Sequence, residues 1–312
     1  MANPVTLQEF AYLLDKNIDE VLKDYLDPVK MVSKQLFGQK TTNRLFLQSA
    51  SVGSYPDIPE FNGKVEYQGI APGFQTRVET REFAGGLIIE RRLIDTAEHD
   101  EMRDRQESMA RALQRTKEKR AANVLNYAFS ASWEFMTNDE GVALCGSHTT
   151  KSGVPTTTGF SNYGSSALSK TSILATAVAM MKLKDDIGEY FDIIPDTIIV
   201  PVALYDAACE AVGYDPRSGA ESKLDPTSAN NAINPAYGRF KVVPWIYLDQ
   251  NSTTSWFMVD SRMMKKFATW VDRIAQEKHT IMDYETMSIK QILYSSFAVY
   301  WKDWRFIYGH SV

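Results

Sequence analysis

The sequence predicts an α+β fold, and three observations carry that reading. An uninterrupted helical signal runs from about Glu98 to Phe129. A short apolar run at Thr197 to Val200 reads as a buried strand and is followed by a helical stretch at Leu204 to Val212, an order that leaves an α/β core open as well. The C-terminal part then alternates short apolar runs that read as strands: WFMV at Trp256 to Val259, ILYSSFAVYW at Ile292 to Trp301 and WRFIY at Trp304 to Tyr308. With 312 residues, 44% of them apolar, the chain can bury a sizeable core as one large domain or two modest ones. The balance of 34 Lys and Arg against 39 Asp and Glu gives a net charge of -5, which argues against a disordered tail, a collagen-like repeat, or a dedicated DNA- or anionic-membrane-binding protein.

Taken in order, Thr6 and Glu9 have the spacing of a capping box, and Phe10, Leu13, Leu14, Ile18, Val21, Leu22 and Tyr25 recur at helical spacing. An amphipathic helix is expected from about Leu7 to Leu26, ending near Pro28, with an apolar stripe that needs a partner. From Ser49 to Phe83, Gly, Pro and short alternating segments dominate. KVEYQ (Lys64 to Gln68) and TRVETREF (Thr76 to Phe83), joined through Ile70 to Phe74, are expected to form a two-stranded polar ribbon. Neither face of the second segment is an apolar core face, so both are expected to be wet. An isolated ribbon of that kind is marginal in water and needs outside support.

The helix at Glu98 to Phe129 begins with Glu98, Asp100, Glu101 and Asp104 and continues with Arg111, Arg115, Lys117, Lys119 and Arg120, the polarity that complements a helix dipole. At 1.5 Å per residue it would span roughly 45 to 50 Å. Met102, Met109, Leu113, Val124 and Ala128 make a broken apolar stripe, so its middle should meet solvent or polar partners. Gly146 to Ser169 reads as a long loop, Ile173 to Met181 as a helix, and Tyr214 to Tyr237 as a second long loop. No internal repeat is evident.

Little in the sequence carries chemistry. The four histidines fall outside HExxH and paired-Cys zinc spacings, and no GxGxxG, Walker-type or GxSxG motif occurs. Cys145 with His148 could in principle form a nucleophile and base, although residues three apart in a Gly-rich loop rarely hold that geometry. The acidic helix start could ligate a cation, but a solvated helix terminus explains it more simply. No catalytic, metal or cofactor residue is therefore assigned. Two cysteines make no disulfide framework, the start MANPVTLQEF has no secretory pattern, and no apolar run reaches the ~18 residues a membrane span needs. The expected setting is a reducing cytosol, with no membrane partner.

The order of parts, arm, ribbon, over-long helix and α/β portion with long loops, suits a subunit clasped by its neighbours. It resembles the major capsid proteins of tailed bacteriophages, with the Hong Kong 97-like shell fold, over about Ser51 to Val312, and the Mu-type head subunits most closely. The supporting stretches are GGLIIERRLID leading into the long helix through LNYAF, LCGSHTTKSG with Ser161 and Asn162, KLKDDIGEYFDIIPDTIIVPVALYDAACEAV, NNAINPAYGRFKVVPW and SWFMVD. The resemblance implies an N-terminal arm over residues 1–48 and an extended loop over 49–83. It implies a peripheral domain over 84–195 and 291–312 with a spine helix at 98–129, and an axial domain over 196–290. In that family extended loops lie across adjacent subunits and axial loops crowd a ring centre, a place Tyr214 to Tyr237 would take here.

The function so implied is a structural head protein of the virion, made and assembled in the bacterial host cytoplasm, with pentameric and hexameric rings closing an icosahedral shell. Candidate inter-subunit contacts are Lys64, Glu66, Tyr67, Phe74, Arg77, Glu79, Arg81, Arg111, Arg115, Lys119, Asn230 and Asn231. Expected partners are other copies of the chain, a separate rather than fused scaffold, portal and decoration proteins, and packaged double-stranded DNA contacted weakly without sequence preference. Arm and ribbon are both expected to depend on neighbouring copies for support. An encapsulin-like cargo container and a Cys-dependent hydrolase are the alternatives.

Overall fold

The computed structural model describes residues 31–65, 67, 69–70, 72–90, 99–213, 233–283, 285–286 and 288–312, together with Lys16, Glu20, Leu22 and Lys23. The first elements are α1 (Val32–Leu36), β1 (Gly38–Thr41), β2 (Phe46–Val52), β3 (Pro72–Glu79), β4 (Arg81–Glu90), α2 (His99–Asn126) and β5 (Met136–Asn138). They are followed by β6 (Tyr163–Gly164), α3 (Lys170–Met181), β7 (Thr197–Val200), α4 (Tyr205–Val212), β8 (Lys241–Pro244) and β9 (Trp256–Val259). The chain ends with α5 (Ser261–Phe267), β10 (Ala268–Asp283), β11 (Ser288–Trp301) and β12 (Ile307–His310). Three sheets result, in the orders β1-β10-β11-β4, β6-β12-β9-β7-β8 and β2-β3-β5. One continuous core joins them, from Phe37 and Val78 through Leu125 to Trp256, Phe297 and Phe306.

The spine helix forms as the sequence predicts. α2 has 28 residues, about 42 Å at helical rise, and its middle meets polar partners. Buried Gln106 donates to Gln291 Oε1 at 2.9 Å, and Lys117 Nζ donates to the Ala275 carbonyl at 2.7 Å. Glu118 accepts from Ser33 N at 3.1 Å, Ser33 Oγ at 2.5 Å and Trp245 Nε1 at 2.9 Å. The predicted helix at Ile173 to Met181 is α3, capped by Ser169, whose hydroxyl accepts from Ser172 N. The predicted strands at Thr197 to Val200 and Trp256 to Val259 are β7 and β9, buried at every residue.

Several expectations are corrected. Lys64, Val65 and Tyr67 lie outside any strand, and the partner of β3 is β2, paired from Phe46↔Glu79 to Val52↔Pro72. TRVETREF is two strands broken at Thr80. One of its faces is buried rather than wet: Val78 joins the main core, and Thr76 and Thr80 are buried on the same face. WRFIY supplies a turn before β12 rather than a strand beginning at Trp304. β10 and α5 were not anticipated. β10 mixes a buried start with an exposed, charged second half and carries register shifts, which hide its period. α5 owes its start to Asp260, whose Oδ1 accepts from Arg262 N and Met263 N at 3.0 Å.

The sheets also redraw the expected units. Residues 268–283 and 288–290 pair within the sheet that holds β4, not with β7 to β9, whereas β12 and α3 pack with the five-stranded sheet. The boundary expected after residue 48 falls inside β2. The arm helix lies mostly outside the described residues. Leu22 within it clusters with Met31, Ala110 of α2 and Leu293 of β11, so at this position the arm takes support from its own chain.

His310, the last residue of β12, stacks on Trp256 at 4.2 Å with the rings nearly parallel. Its Nδ1 accepts from Ser166 N at 3.2 Å and its Nε2 lies 2.8 Å from Thr176 Oγ1, while the Thr176 hydroxyl donates to Ser172 O at 2.7 Å. That pattern fixes a neutral ring with the proton on Nε2. Burial pulls its pKa down to about 4. The unfolded chain therefore binds this proton first as pH falls, so the stability held above pH 6.5 is lost progressively toward pH 4. Because the exposed Ser166 segment lies beside the ring, the expected loss is on the order of 2 kcal/mol rather than the full value of the shift. Urea midpoints between pH 7.5 and 4.5 should show that slope, and His310→Gln should flatten it; an equal slope in both proteins would assign it elsewhere.

Candidate functional site

The residues singled out in the sequence fall into two groups, one on the β2–β3 hairpin and one on the outer face of α2. At the hairpin root, Val78 is fully buried with Phe135 and Met136 beside it. Thr80 donates to the Leu45 carbonyl through both its N (3.1 Å) and its Oγ1 (3.0 Å). Alternate side chains point outward, where Arg77 pairs with Glu79 at 2.9 Å and its guanidinium lies 5.2 Å from the Phe46 ring centre. Both partners are about 60% exposed, 60% and 61%, so the pair adds little stability by itself. Arg81 and Arg120 converge on Glu134, at 3.4 and 2.9 Å, and so tie the hairpin exit to α2. Phe74 is half-buried beneath Lys151, whose ammonium is 5.0 Å from the ring centre.

Beyond that root the hairpin carries an apolar tip. Tyr55, Ile58, Phe61, Val65, Tyr67 and Ile70 are exposed, Ile58 at 86% and Tyr67 at 94%. Six large apolar side chains within one irregular stretch are far more than the scattered exposure a soluble monomer tolerates. Lys64 is exposed beside them, and Glu66 lies outside the described residues. Of these apolar residues only Tyr67 was singled out by sequence. The signal for the rest was large apolar residues recurring among Gly and Pro, where no helix or strand period connects them.

On α2, Arg111 and Arg115 are exposed and Lys119 is half-buried. Their spacing of four places them on one stripe, about 6 Å apart along the axis. The preceding turns are self-neutralised by Arg105 with Glu101 at 2.5 Å and Arg103 with Glu107 at 3.6 Å. Asn230 and Asn231, like Tyr214 to Ala232, lie outside the described residues.

Cys145 and His148 do not act on each other. His148 Nδ1 is 3.0 Å from Glu140 Oε1, its ring stacks on Trp304 at 4.1 Å, and its Nε2 has no hydrogen-bond partner. Burial pushes the Cys145 thiol up, away from the thiolate a nucleophile requires. Among the described residues no group of three or more His, Cys, Asp or Glu is placed to hold a metal ion, and no helix is long and apolar enough to cross a membrane.

Comparison with solved structures shows a shell fold. The chain is similar to the capsid of the cyanophage P-SCSP1u, with a TM-score of 0.57 at 9% identity over 90% of this chain and 87% of that one. It is similar to a chain of the Microbacterium phage Oxtober96, at 0.54 and 9% over 90% of each. It is also similar to the procapsid of bacteriophage JBD30, at 0.52 and 10% over 99% of this chain and 76% of that one. No curated protein matches the sequence. The family described as phage capsid protein matches residues 73–309, and the chain belongs to it. It is a structural shell subunit of the phage head and a component of the virion.

Proposed function

We propose that the chain is a Mu-type major head subunit whose copies form pentameric and hexameric rings that close an icosahedral shell around the phage genome. The exposed apolar hairpin tip carries this reading, since a surface of that kind is stable in water only when another chain covers it. Head-to-tail contacts that close make rings, and small changes of angle let one chain build both ring sizes. Many weak contacts per subunit then make a stable whole.

In this reading the four-stranded sheet with α2 is the peripheral part and the five-stranded sheet the axial part. The hairpin residues Lys64, Tyr67, Phe74, Arg77, Glu79 and Arg81, and the α2 stripe Arg111, Arg115 and Lys119, contact neighbouring subunits. Charged pairs such as Arg77 with Glu79 set register there. Glu66, Asn230 and Asn231 remain sequence-based members of the same set. Assembly takes place in the host cytoplasm with a separate scaffold, a portal and decoration proteins, and mild net acidity keeps the wall from gripping the packaged DNA. Electron microscopy of the concentrated protein tests the proposal. Closed particles with five-fold and six-fold rings are the expected result, whereas a homogeneous monomer in light scattering under every condition would remove it.

A further inference from the structure

Four strands stand at the edges of the two larger sheets, and three of them are blunted. β1 has four residues and carries Lys40, β6 has two residues, and β8 has four and ends on Pro244. β4 is different. It has ten residues without Pro or Lys, and pairs with β11 without a register break from Arg81↔Phe297 to Glu90↔Ser288. Among the described residues nothing pairs with its other edge. Ala84, Gly86 and Ile88, on one face of this strand, are exposed, Ile88 at 55%. Proteins rarely leave so long and bare an edge open, because it templates pairing with another chain.

The second observation is a strand signal without a strand. Val65 and Tyr67 alternate with polar residues as a β-segment should, yet Lys64, Val65 and Tyr67 lie in irregular backbone with their side chains in solvent. Such a segment stays irregular when no edge is in reach. It sits in the hairpin tip beyond the far end of β3, itself on the order of 25 Å from Thr80 at strand rise, and among the described residues it pairs with no strand of its own chain.

We propose that Lys64 to Gln68 of one copy adds as an antiparallel strand to the free edge of β4 in a neighbouring copy. The inference rests on the shell reading and names the surface that receives the hairpin. Side-chain fit sets the register: Tyr67 opposite Gly86 covers a bare edge glycine, and Val65 opposite Ile88 pairs two aliphatic side chains. Lys64, Glu66 and Gln68 then share the opposite face. The added strand satisfies the open backbone groups of both segments, and the contact is heterologous, as ring closure requires.

A Val65→Cys/Ile88→Cys double variant tests the register. Both positions are exposed in the subunit, so folding should be unaffected, and native Cys145 and Cys209 are buried and should stay silent. Directly opposed residues have Cα atoms about 4.5 to 5.5 Å apart, within the reach of a disulfide. Oxidised shells should give a ladder of covalent multimers on a non-reducing denaturing gel, at least about tenfold stronger than Lys64→Cys/Ile88→Cys, where the thiols point to opposite faces. Normal shells without the ladder, or equal ladders in both variants, overturn the β4 contact and leave the shell reading standing. A wild type that never forms shells overturns both. A cysteine-free readout is Tyr67→Asp, which should raise the concentration needed for assembly about tenfold with an unchanged subunit melting temperature; unchanged assembly would overturn the contact.

Discussion

Subunits in which Gly53 to Ala71 is replaced by a two-residue Asn-Gly turn are expected to fold and to stop building shells. β2 and β3 stay paired out to Val52↔Pro72, with one register shift after Ala50↔Gln75, so a tight primed turn can close the hairpin beyond Val52. Everything that fixes the root, including Val78, the pairing with β5 and the bonds from Thr80 to Leu45, is untouched. The replacement removes all six exposed apolar residues of the tip. If those residues hold neighbouring copies together, particle yield in sedimentation should fall by about a hundredfold, the order that loss of one member of a multivalent set produces. Circular dichroism melting of the subunit should be unchanged within a few degrees. Normal shells from this variant would show that the tip is not the clasp. A wider cut from Gly63 to Arg81 is the wrong test, because it removes β3 and takes Val78 out of the core.

Glu118→Ala is expected to cost about 3 to 5 kcal/mol of subunit stability, because it leaves the Ser33 N–H, the Ser33 hydroxyl and the Trp245 indole N–H buried without an acceptor. Burial pushes the Glu118 carboxyl upward in pKa while those three donors pull it down, which is how an acidic group survives in the middle of α2. The same residue joins α1, the spine helix and the turn after β8, so its loss should loosen the chain that leads in from the arm. Glu118→Gln keeps one acceptor but turns an amide N–H toward one of the donors, and should cost only about 1 to 2 kcal/mol. Urea unfolding of the two variants checks the order. An Ala variant as stable as the wild type would mean that Ser33 and Trp245 find other acceptors on relaxation.

How much of this was legible beforehand depends on the range of the interactions. α2, α3, β7 and β9 were readable because each is decided by neighbours in sequence: an unbroken helical run, a Ser169 cap, a short apolar run buried on all sides. The polar partners in the middle of α2 could be expected from its broken apolar stripe, but not their identities, since Gln291, Ala275 and Trp245 lie more than a hundred residues further along. β10 escaped because half of it is buried and half is exposed, and its bulges break the alternation. Of the candidate contacts, Arg77 and Glu79 were placed outward correctly by strand alternation. The burial of Thr76, Val78 and Thr80 on the opposite face was missed, because the core that Val78 joins is built from residues far along the chain.

The sequence by itself determined α2, α3, β7 and β9 and, through the order of its parts, the shell family to which the chain belongs. Only the tertiary structure decided which strand meets which: that β1 lies beside β10, that Arg81 and Arg120 share Glu134, and that Lys64, Val65 and Tyr67 lie outside any strand. The reason is physical. Helix caps and apolar periods are settled within a few residues, whereas a strand acquires its partner, and a face its burial, from backbone far away in the chain or in another copy of it.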